Sequence, residues 1–124
     1  MKDALSLITA GTTALRTGEL STATQLLTAA INEASEPAIL GAAYRNLGIA
    51  LRRSGEDEAA AEAFTAALHI DENDVDSRYN LGNTWVALGQ HQNAIHEFQT
   101  VRKHRPSWAQ PANNEGAVWM ALGD

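Results

Sequence analysis

The chain has no cysteine, only three prolines and no long apolar run among its 124 residues. The absence of cysteine excludes disulfides and thiolate metal sites. Scarce proline, together with abundant alanine and leucine, favours helix throughout. A membrane-spanning helix needs an apolar run of about 20 residues, and none approaches this length. The N-terminal residues mix Thr, Arg and Glu with apolar positions, so they lack the apolar core of a secretory signal. We therefore expect a helical, cytoplasmic chain with no membrane span.

Basic residues are also few, since nine Lys and Arg against 15 Asp and Glu give a formal charge of −6. This balance disfavours nucleic acid as a partner, because nucleic-acid binders normally present a basic face. The charge is uneven along the chain, with eight acidic residues and no Lys or Arg between Ser54 and Ser77. Three arginines, Arg45, Arg52 and Arg53, precede this acidic segment. We expect a locally basic surface beside an acidic one.

The chain contains an internal repeat, since Asn-Leu-Gly occurs at 46–48 and again at 80–82, a shift of 34 residues. Glycines come in pairs seven residues apart, at 11 and 18, 48 and 55, 82 and 89, and 116 and 123. The second glycine of each pair lies where a helical pattern ends, as expected of a left-handed C-cap residue. The first lies within a helix, where glycine costs about 1 kcal/mol relative to alanine. Its repetition predicts close approach by a neighbouring helix.

A second apolar stripe follows each of the first three closing glycines. A small residue stands five positions after the glycine and a large apolar residue nine positions after it, which places both on one face of a helix. Each unit is therefore predicted to be two antiparallel helices joined by a short, glycine-led turn. The small residues are Ala23, Ala60 and Ala94, and the large ones are Leu27, Phe64 and Phe98.

The second unit carries Tyr44, Leu47, Gly48, Leu51, Gly55, Ala60, Phe64 and Ala67, and the third carries Leu81, Gly82, Trp85, Gly89, Ala94, Phe98 and Pro106. This series resembles the signature of the tetratricopeptide repeat family, which is a 34-residue helix-turn-helix with Trp-x-x-Leu-Gly-x-x-Tyr, then Ala, Phe, Ala and Pro. The resemblance implies an all-α fold, a right-handed α-solenoid of antiparallel helix pairs whose first helices line a concave groove. It divides the single domain, 1–124, into units at about 4–40, 41–74 and 75–108 and a final helix at 109–122. Arg78 replaces the opening aromatic of the third unit, and Ala10 and Glu115 replace the leucine of the first and the last.

The last unit is predicted to be a first helix alone. Glu115 at a normally apolar position favours a solvated cap at the end of the stack. The last helix also carries large apolar side chains that a following helix would bury, namely Trp119, Met120 and Leu122. This favours a chain cut from a longer array, which is the interpretation that we prefer.

Three asparagines, Asn46, Asn80 and Asn114, each stand two residues before a mid-helix glycine and 34 residues apart. They are expected to line the groove at one height per unit, with Thr9 in the equivalent place of the first unit. An amide offers both donors and an acceptor, so such a ladder can hold the backbone of an extended peptide. The alternative is that the asparagines only bridge neighbouring helices.

The arginines at 45, 52 and 53 predict an acidic or carboxylate-ended peptide as the guest. The alternative is that Arg52 and Arg53 complement a helix dipole and pair with Glu56 or Asp57. The family's two-carboxylate clamp for chaperone tails is rejected, because the flanking positions do not carry its Lys, Asn and Arg residues. The predicted peptide-binding residues are Arg45, Asn46, Ile49, Arg52, Arg53, Tyr79, Asn80, Asn83, Asn113 and Asn114.

Other motifs do not qualify as sites. The segment 71–76 resembles a calcium loop, but Val75 replaces an oxygen ligand and the glycine and closing Glu are missing. His91 and His96 are five residues apart, not the four of a helical metal pair. The basic run 102–105 ends a helix, where the dipole favours cations. No Ser-His-Asp arrangement or phosphate loop is present, so we expect neither enzymatic activity nor a cofactor.

The sequence therefore predicts an interaction scaffold that binds a protein or peptide partner in its groove. One alternative is self-assembly into a dimer or filament, by docking of the C-terminal stacking face on another copy. Another is the targeting arm of a larger enzyme. The partner is expected to be acidic and not a nucleic acid.

Overall fold

The computed structural model describes residues 3–123. Within this range the chain forms seven α-helices and no strand. They are α1 (Ala4–Arg16), α2 (Leu20–Glu33), α3 (Pro37–Arg53), α4 (Asp57–Ile70), α5 (Val75–Ala87), α6 (His91–His104) and α7 (Ala109–Ala121). The first six form three antiparallel pairs, α7 packs on α6, and the pairs stack as the expected right-handed α-solenoid. None of the seven helices combines the length and the apolar content that would let it traverse a bilayer.

The closing glycines end the first helix of each unit as the sequence predicts. Their φ angles lie between 75° and 87°, the left-handed region that glycine enters without a Cβ clash. In the first three units the backbone N–H of the residue after the closing glycine donates to a carbonyl of the preceding helix. The distances are 2.9 Å from Glu19 to Ala14, 2.9 Å from Glu56 to Leu51 and 2.8 Å from Gln90 to Trp85. These bonds close the helix ends and fix the turn that reverses the chain.

The spacing between the first two glycine pairs is three residues longer than the others because α3 is longer. It has 17 residues, whereas α1 and α5 have 13 each. Pro37 occupies the start of α3, where its missing N–H costs no hydrogen bond. The extra residues extend a helix by about one turn, and they do not form a loop.

The mid-helix glycines allow the two helices of a pair to approach closely. A Cβ built at Gly48 would lie 2.6 Å from the ring of Phe64, and one at Gly82 would lie 2.6 Å from the ring of Phe98. At Gly11 the corresponding contact is with Leu27, at 2.8 Å. The predicted close approach is therefore confirmed in three units.

Gly116 differs from the other mid-helix glycines, since a Cβ there would meet nothing within 4 Å. Its helix, α7, is not followed by a second helix within residues 3–123. The space that Phe64 or Phe98 fills in the inner units is therefore open at Gly116.

Four ion pairs within residues 3–123 connect the helices and their caps. Arg45 contacts Asp74 at 2.9 Å, Arg78 contacts Glu97 at 2.9 Å, Arg102 contacts Glu115 at 2.7 Å, and Arg52 lies 3.7 Å from Asp57. Arg78 thus gains a carboxylate partner in place of the apolar contact of the aromatic it replaces.

Glu115 is 6% exposed, so its charge is not solvated and does not support the alternative of a solvated cap. Besides Arg102, its carboxylate accepts from the amide of Gln99 at 3.0 Å and from the indole N–H of Trp119 at 3.1 Å. Three donors satisfy the buried charge, which explains how a carboxylate replaces the leucine of the repeat.

Hydrogen bonds lower the pKa of two carboxylates that lie at the junctions between helices, Asp74 and Glu115. Burial alone would raise the pKa of Asp74, but the N–H and hydroxyl of Ser77 and the guanidinium of Arg45 outweigh it and hold the pKa below its ordinary value. Burial would likewise raise the pKa of Glu115, and its three donors reverse this effect to give a lowered pKa. Both groups are therefore stabilising as carboxylates.

We expect acid to destabilise the fold through these two groups. Because the folded pKa of each lies below the unfolded value of about 4, each contributes stability that is complete above that value and is lost as the pH falls through the folded pKa. Urea unfolding at pH 7, 4 and 3 should show a smaller decline for Asp74→Asn/Glu115→Gln than for the wild type. The control is Glu33→Gln/Glu36→Gln, two exposed carboxylates, which should follow the wild type. An equal decline in all three proteins would contradict the assignment.

Candidate functional site

The first helices of the units form the concave surface of the stack. Successive first helices contact one another, α1 with α3, α3 with α5 and α5 with α7, whereas in the described part of the chain α2, α4 and α6 do not. Because the helices are closer together on the side of the first helices, the stack curves toward them. We call this side the inner surface and the side of α2, α4 and α6 the outer surface.

A polar network crosses the inner surface between α5 and α7. The amide nitrogen of Asn114 donates to the hydroxyl of Tyr79 at 2.9 Å and to the side-chain oxygen of Asn83 at 2.8 Å. Its own oxygen accepts from Gln110 at 3.1 Å. The ring of Tyr79 is packed against Trp108, with 4.6 Å between ring centroids. The network is therefore held in place by an aromatic contact.

Two donor groups of this network remain unused within residues 3–123. Asn114 uses both of its amide hydrogens, so Asn83 acts as an acceptor and its own amide N–H groups donate to no described atom. Tyr79 also acts as an acceptor, which leaves its hydroxyl hydrogen without a described acceptor. Both groups can donate to an incoming carbonyl or carboxylate.

A pocket of about 260 Å³ lies beside these donors, and we call it the α5–α7 pocket. It combines apolar side chains with two amides and an imidazole. Such a combination suits a small apolar side chain together with hydrogen-bond acceptors on its backbone. The lining residues are Asn83, Val86, His91, Asn114, Ala117, Val118 and Ala121.

The three arginines predicted to attract an acidic guest all have partners within the chain. Arg45 is paired with Asp74, and Arg53 donates to the carbonyl of Leu15 at 3.2 Å. Arg52 lies 3.7 Å from Asp57, the pairing that the sequence offered as an alternative to ligand contact. The arginines therefore connect helices and turns of the fold.

The other predicted site residues differ in their burial and in their hydrogen bonds. Asn80 donates to the carbonyl of Asp76 in its own helix at 2.8 Å. Ile49 is half-buried and packs on the core. Asn46 is half-buried, Asn113 is exposed, and neither side chain has a hydrogen-bond partner in the described range. The three ladder asparagines thus make different contacts, and only Asn114 bridges neighbouring units.

Comparison with known proteins identifies the repeat. The family described as "Tetratricopeptide repeat" matches residues 41–74, the second unit. This second unit is a tetratricopeptide repeat. No curated protein matches it in sequence.

Solved structures share the fold of this chain at low sequence identity. The myosin chaperone UNC-45 from C. elegans, in complex with a Hsp90 peptide, has a TM-score of 0.92 and 21% identity over 100% of this chain and 14% of that one. The first repeat domain of Spaghetti (RPAP3), bound to the HSP90 peptide SRMEEVD, has a TM-score of 0.90 and 18% identity over 98% and 94%. MamA has a TM-score of 0.87 and 22% identity over 97% and 68%.

Several residues in or beside the α5–α7 pocket are outside the predicted site. Val86 and Ala117 carry no polar group, so a search for hydrogen-bonding residues passes over them. Gln110 does not line the pocket but donates to Asn114, and its position four residues before Asn114 on the same helix is the signal that could have included it. His91 begins a second helix, where groove residues are not expected.

Proposed function

We propose that the chain is a non-catalytic interaction module that binds a peptide segment of a partner protein on its inner surface, centred on the α5–α7 pocket. The observation that carries this proposal is the pair of unused donors, on Asn83 and Tyr79, beside an apolar pocket. A peptide backbone supplies the matching carbonyl acceptors, and a small side chain fits against Val86 and Ala117. Fold analogy adds support, because two structures of the same fold were solved with bound peptides.

The guest is proposed to be recognised mainly through its backbone. An acidic preference would need free cations, and the three arginines of the predicted site are all engaged within the chain. The amides of Asn46 and Asn113 extend the row of hydrogen-bonding groups along the inner surface, beside Ile49 and Asn80. We propose that acidity of the guest is a secondary preference, supplied by rearrangement of Arg52 or Arg53.

The proposed binding is tested with random octapeptides that carry a free C-terminus, selected on the wild-type protein and then titrated by calorimetry. Ala117→Trp fills the pocket from an exposed position and should weaken binding at least tenfold. Asn83→Ala removes one donor group and should weaken it about three- to tenfold, the effect of one hydrogen bond. The matched control is Asn93→Ala, an exposed asparagine of α6.

Equal affinity of Ala117→Trp and the wild type would contradict the proposal. The same peptides with an amidated C-terminus separate two kinds of recognition. Retained affinity supports binding through the backbone, and complete loss would show that the terminal carboxylate is the recognised group.

Self-association is a second candidate, favoured by the exposed face of α7. Met120 is 78% exposed and Leu122 is 39% exposed, and Met120 lies one helical turn after Gly116, where a Cβ would meet nothing within 4 Å. Light scattering of the titration samples separates the candidates, because a peptide-binding module has the mass of one chain at every concentration, whereas a self-associating one grows heavier with concentration.

A further inference from the structure

Two adjoining cavities form a trough along α4 on the outer surface. Their volumes are about 370 and 390 Å³, and they share Glu58 and Leu88. The first lies at the N-terminus of α4, and the second runs along the exposed face of the same helix above α5. The trough is lined by Gly55, Glu56, Asp57, Glu58, Ala59, Ala61, Glu62, Thr65, Ala66, His69, Trp85 and Leu88.

The trough has an apolar floor and an acidic rim. Trp85 of α5 and Leu88, which caps that helix, form the floor together with alanines of α4, while Glu58 and Glu62 are exposed at the edge. The indole N–H of Trp85 donates to no atom of the described chain, whereas the equivalent Trp119 donates to Glu115. The floor is therefore an aromatic and aliphatic surface with carboxylates along one side.

The charge of the trough is negative and largely uncompensated. No Lys or Arg occurs between Ser54 and Ser77, the segment that supplies all of α4. Arg52 reaches the N-terminal end, where it lies 3.7 Å from Asp57, yet the buried Oδ1 of Asp57 accepts no hydrogen bond within residues 3–123. A cationic group on a partner would find the exposed carboxylates of Glu58 and Glu62 along the rim, whereas the buried Oδ1 of Asp57 is out of its reach.

We propose that this trough docks a basic amphipathic helix of a partner protein. The residues of α4 that line it, from Glu58 to His69, repeat at helical spacing over three turns, a length of about 16 Å. A partner helix of the same length can place apolar side chains on Trp85 and Leu88 and Lys or Arg beside Glu58 and Glu62. Arginine or lysine can also lie over the face of the indole.

A helix fits this surface better than an extended strand does. The backbone groups of α4 and α5 are already bonded within their helices, so the trough offers no edge for strand pairing. An extended peptide would hold unpaired N–H and C=O groups against an apolar floor, which is costly, whereas a helix satisfies its own backbone. The trough shares no residue with the α5–α7 pocket, so this docking is independent of the function proposed above.

The probe for this test is an 18-residue, N-terminally labelled peptide of Leu, Ala and Lys, with Leu on one helical face and Lys on its flanks. Fluorescence anisotropy should show binding to the wild-type protein. Charge reversal at exposed positions, Glu58→Lys/Glu62→Lys, should weaken binding at least tenfold. The control, Glu33→Lys/Glu36→Lys, changes the net charge by the same amount at positions away from the trough. It should retain the affinity within about threefold, because salt screens the attraction between distant charges. Circular dichroism melts establish that all variants are folded.

Four results would overturn the proposal. Equal binding of the wild type and Glu58→Lys/Glu62→Lys would show that the trough is not the site. Equal binding of a scrambled peptide of the same composition would show only non-specific charge attraction. Loss of binding in Ala117→Trp would place the peptide in the α5–α7 pocket. Self-association of the wild type that Glu58→Lys/Glu62→Lys abolishes would make a second copy of the chain the occupant.

Discussion

Replacing Phe64 by alanine should lower the free energy of unfolding by about 3–5 kcal/mol, the usual cost of removing a fully buried phenylalanine. The side chain of Phe64 is completely buried and packs among Leu51 and Leu81, so it connects the second unit to the third. Its ring also occupies the space that Gly48 leaves open. Removing it leaves a cavity at the centre of the stack, and a loss of this size is a large part of the 5–15 kcal/mol typical of a domain.

Urea unfolding followed by circular dichroism measures this loss. The control is Glu62→Ala on the same helix, an exposed position where the change should stay within about 0.5 kcal/mol. A loss below about 1 kcal/mol for Phe64→Ala would mean that the stack does not depend on this contact.

Gly48→Ala should destabilise the protein by about 1–3 kcal/mol, although alanine is the better helix former. The added Cβ would lie 2.6 Å from the ring of Phe64, which is packed on all sides and cannot move without disturbing the core. Gly116→Ala should have the opposite effect and stabilise by up to about 1 kcal/mol, because nothing lies within 4 Å of its Cβ and only the helix propensity changes.

A double-mutant cycle tests the cause of the Gly48 effect. In the Phe64→Ala background the clash is gone, so Gly48→Ala should become neutral or stabilising. Urea unfolding of the four proteins measures whether Gly48→Ala raises or lowers the free energy of unfolding in each background. If Gly48→Ala costs the same in both backgrounds, steric contact with Phe64 is not the reason for the glycine.

The fold could be predicted from the sequence because its determinants are local and recur. The closing glycines terminate helices through their own backbone conformation, and the spacing from glycine to alanine to phenylalanine places each contact within one helix pair. Gly116 departs from the pattern because its contact would come from a helix that the described chain does not contain. The burial of Glu115 depends on Arg102 and Gln99, which lie on α6. They come within hydrogen-bond distance of Glu115 only when α6 packs against α7.

The candidate site could be predicted only in part, because its contacts join residues far apart in the chain. Asp74 belongs to a segment that looks like a failed calcium loop. It caps α5 through the nearby N–H of Ser77, but its pairing with Arg45 forms only when the units stack. The three asparagines are equivalent by spacing, yet their contacts depend on what the neighbouring unit presents. Asn114 faces Tyr79 and Asn83, and Asn80 has the carbonyl of its own helix within reach.

The most direct test of binding at the α5–α7 pocket is an NMR titration of ¹⁵N-labelled protein with a selected octapeptide. Side-chain amide signals report the groups that would contact the guest, and Asn93 on α6 serves as an internal reference. We predict that the amide signals of Asn83 and Asn114 shift, together with backbone signals of α5 and α7, while that of Asn93 does not. Shifts confined to α2, α4 and α6, with Asn83 and Asn114 unchanged, would contradict binding on the inner surface.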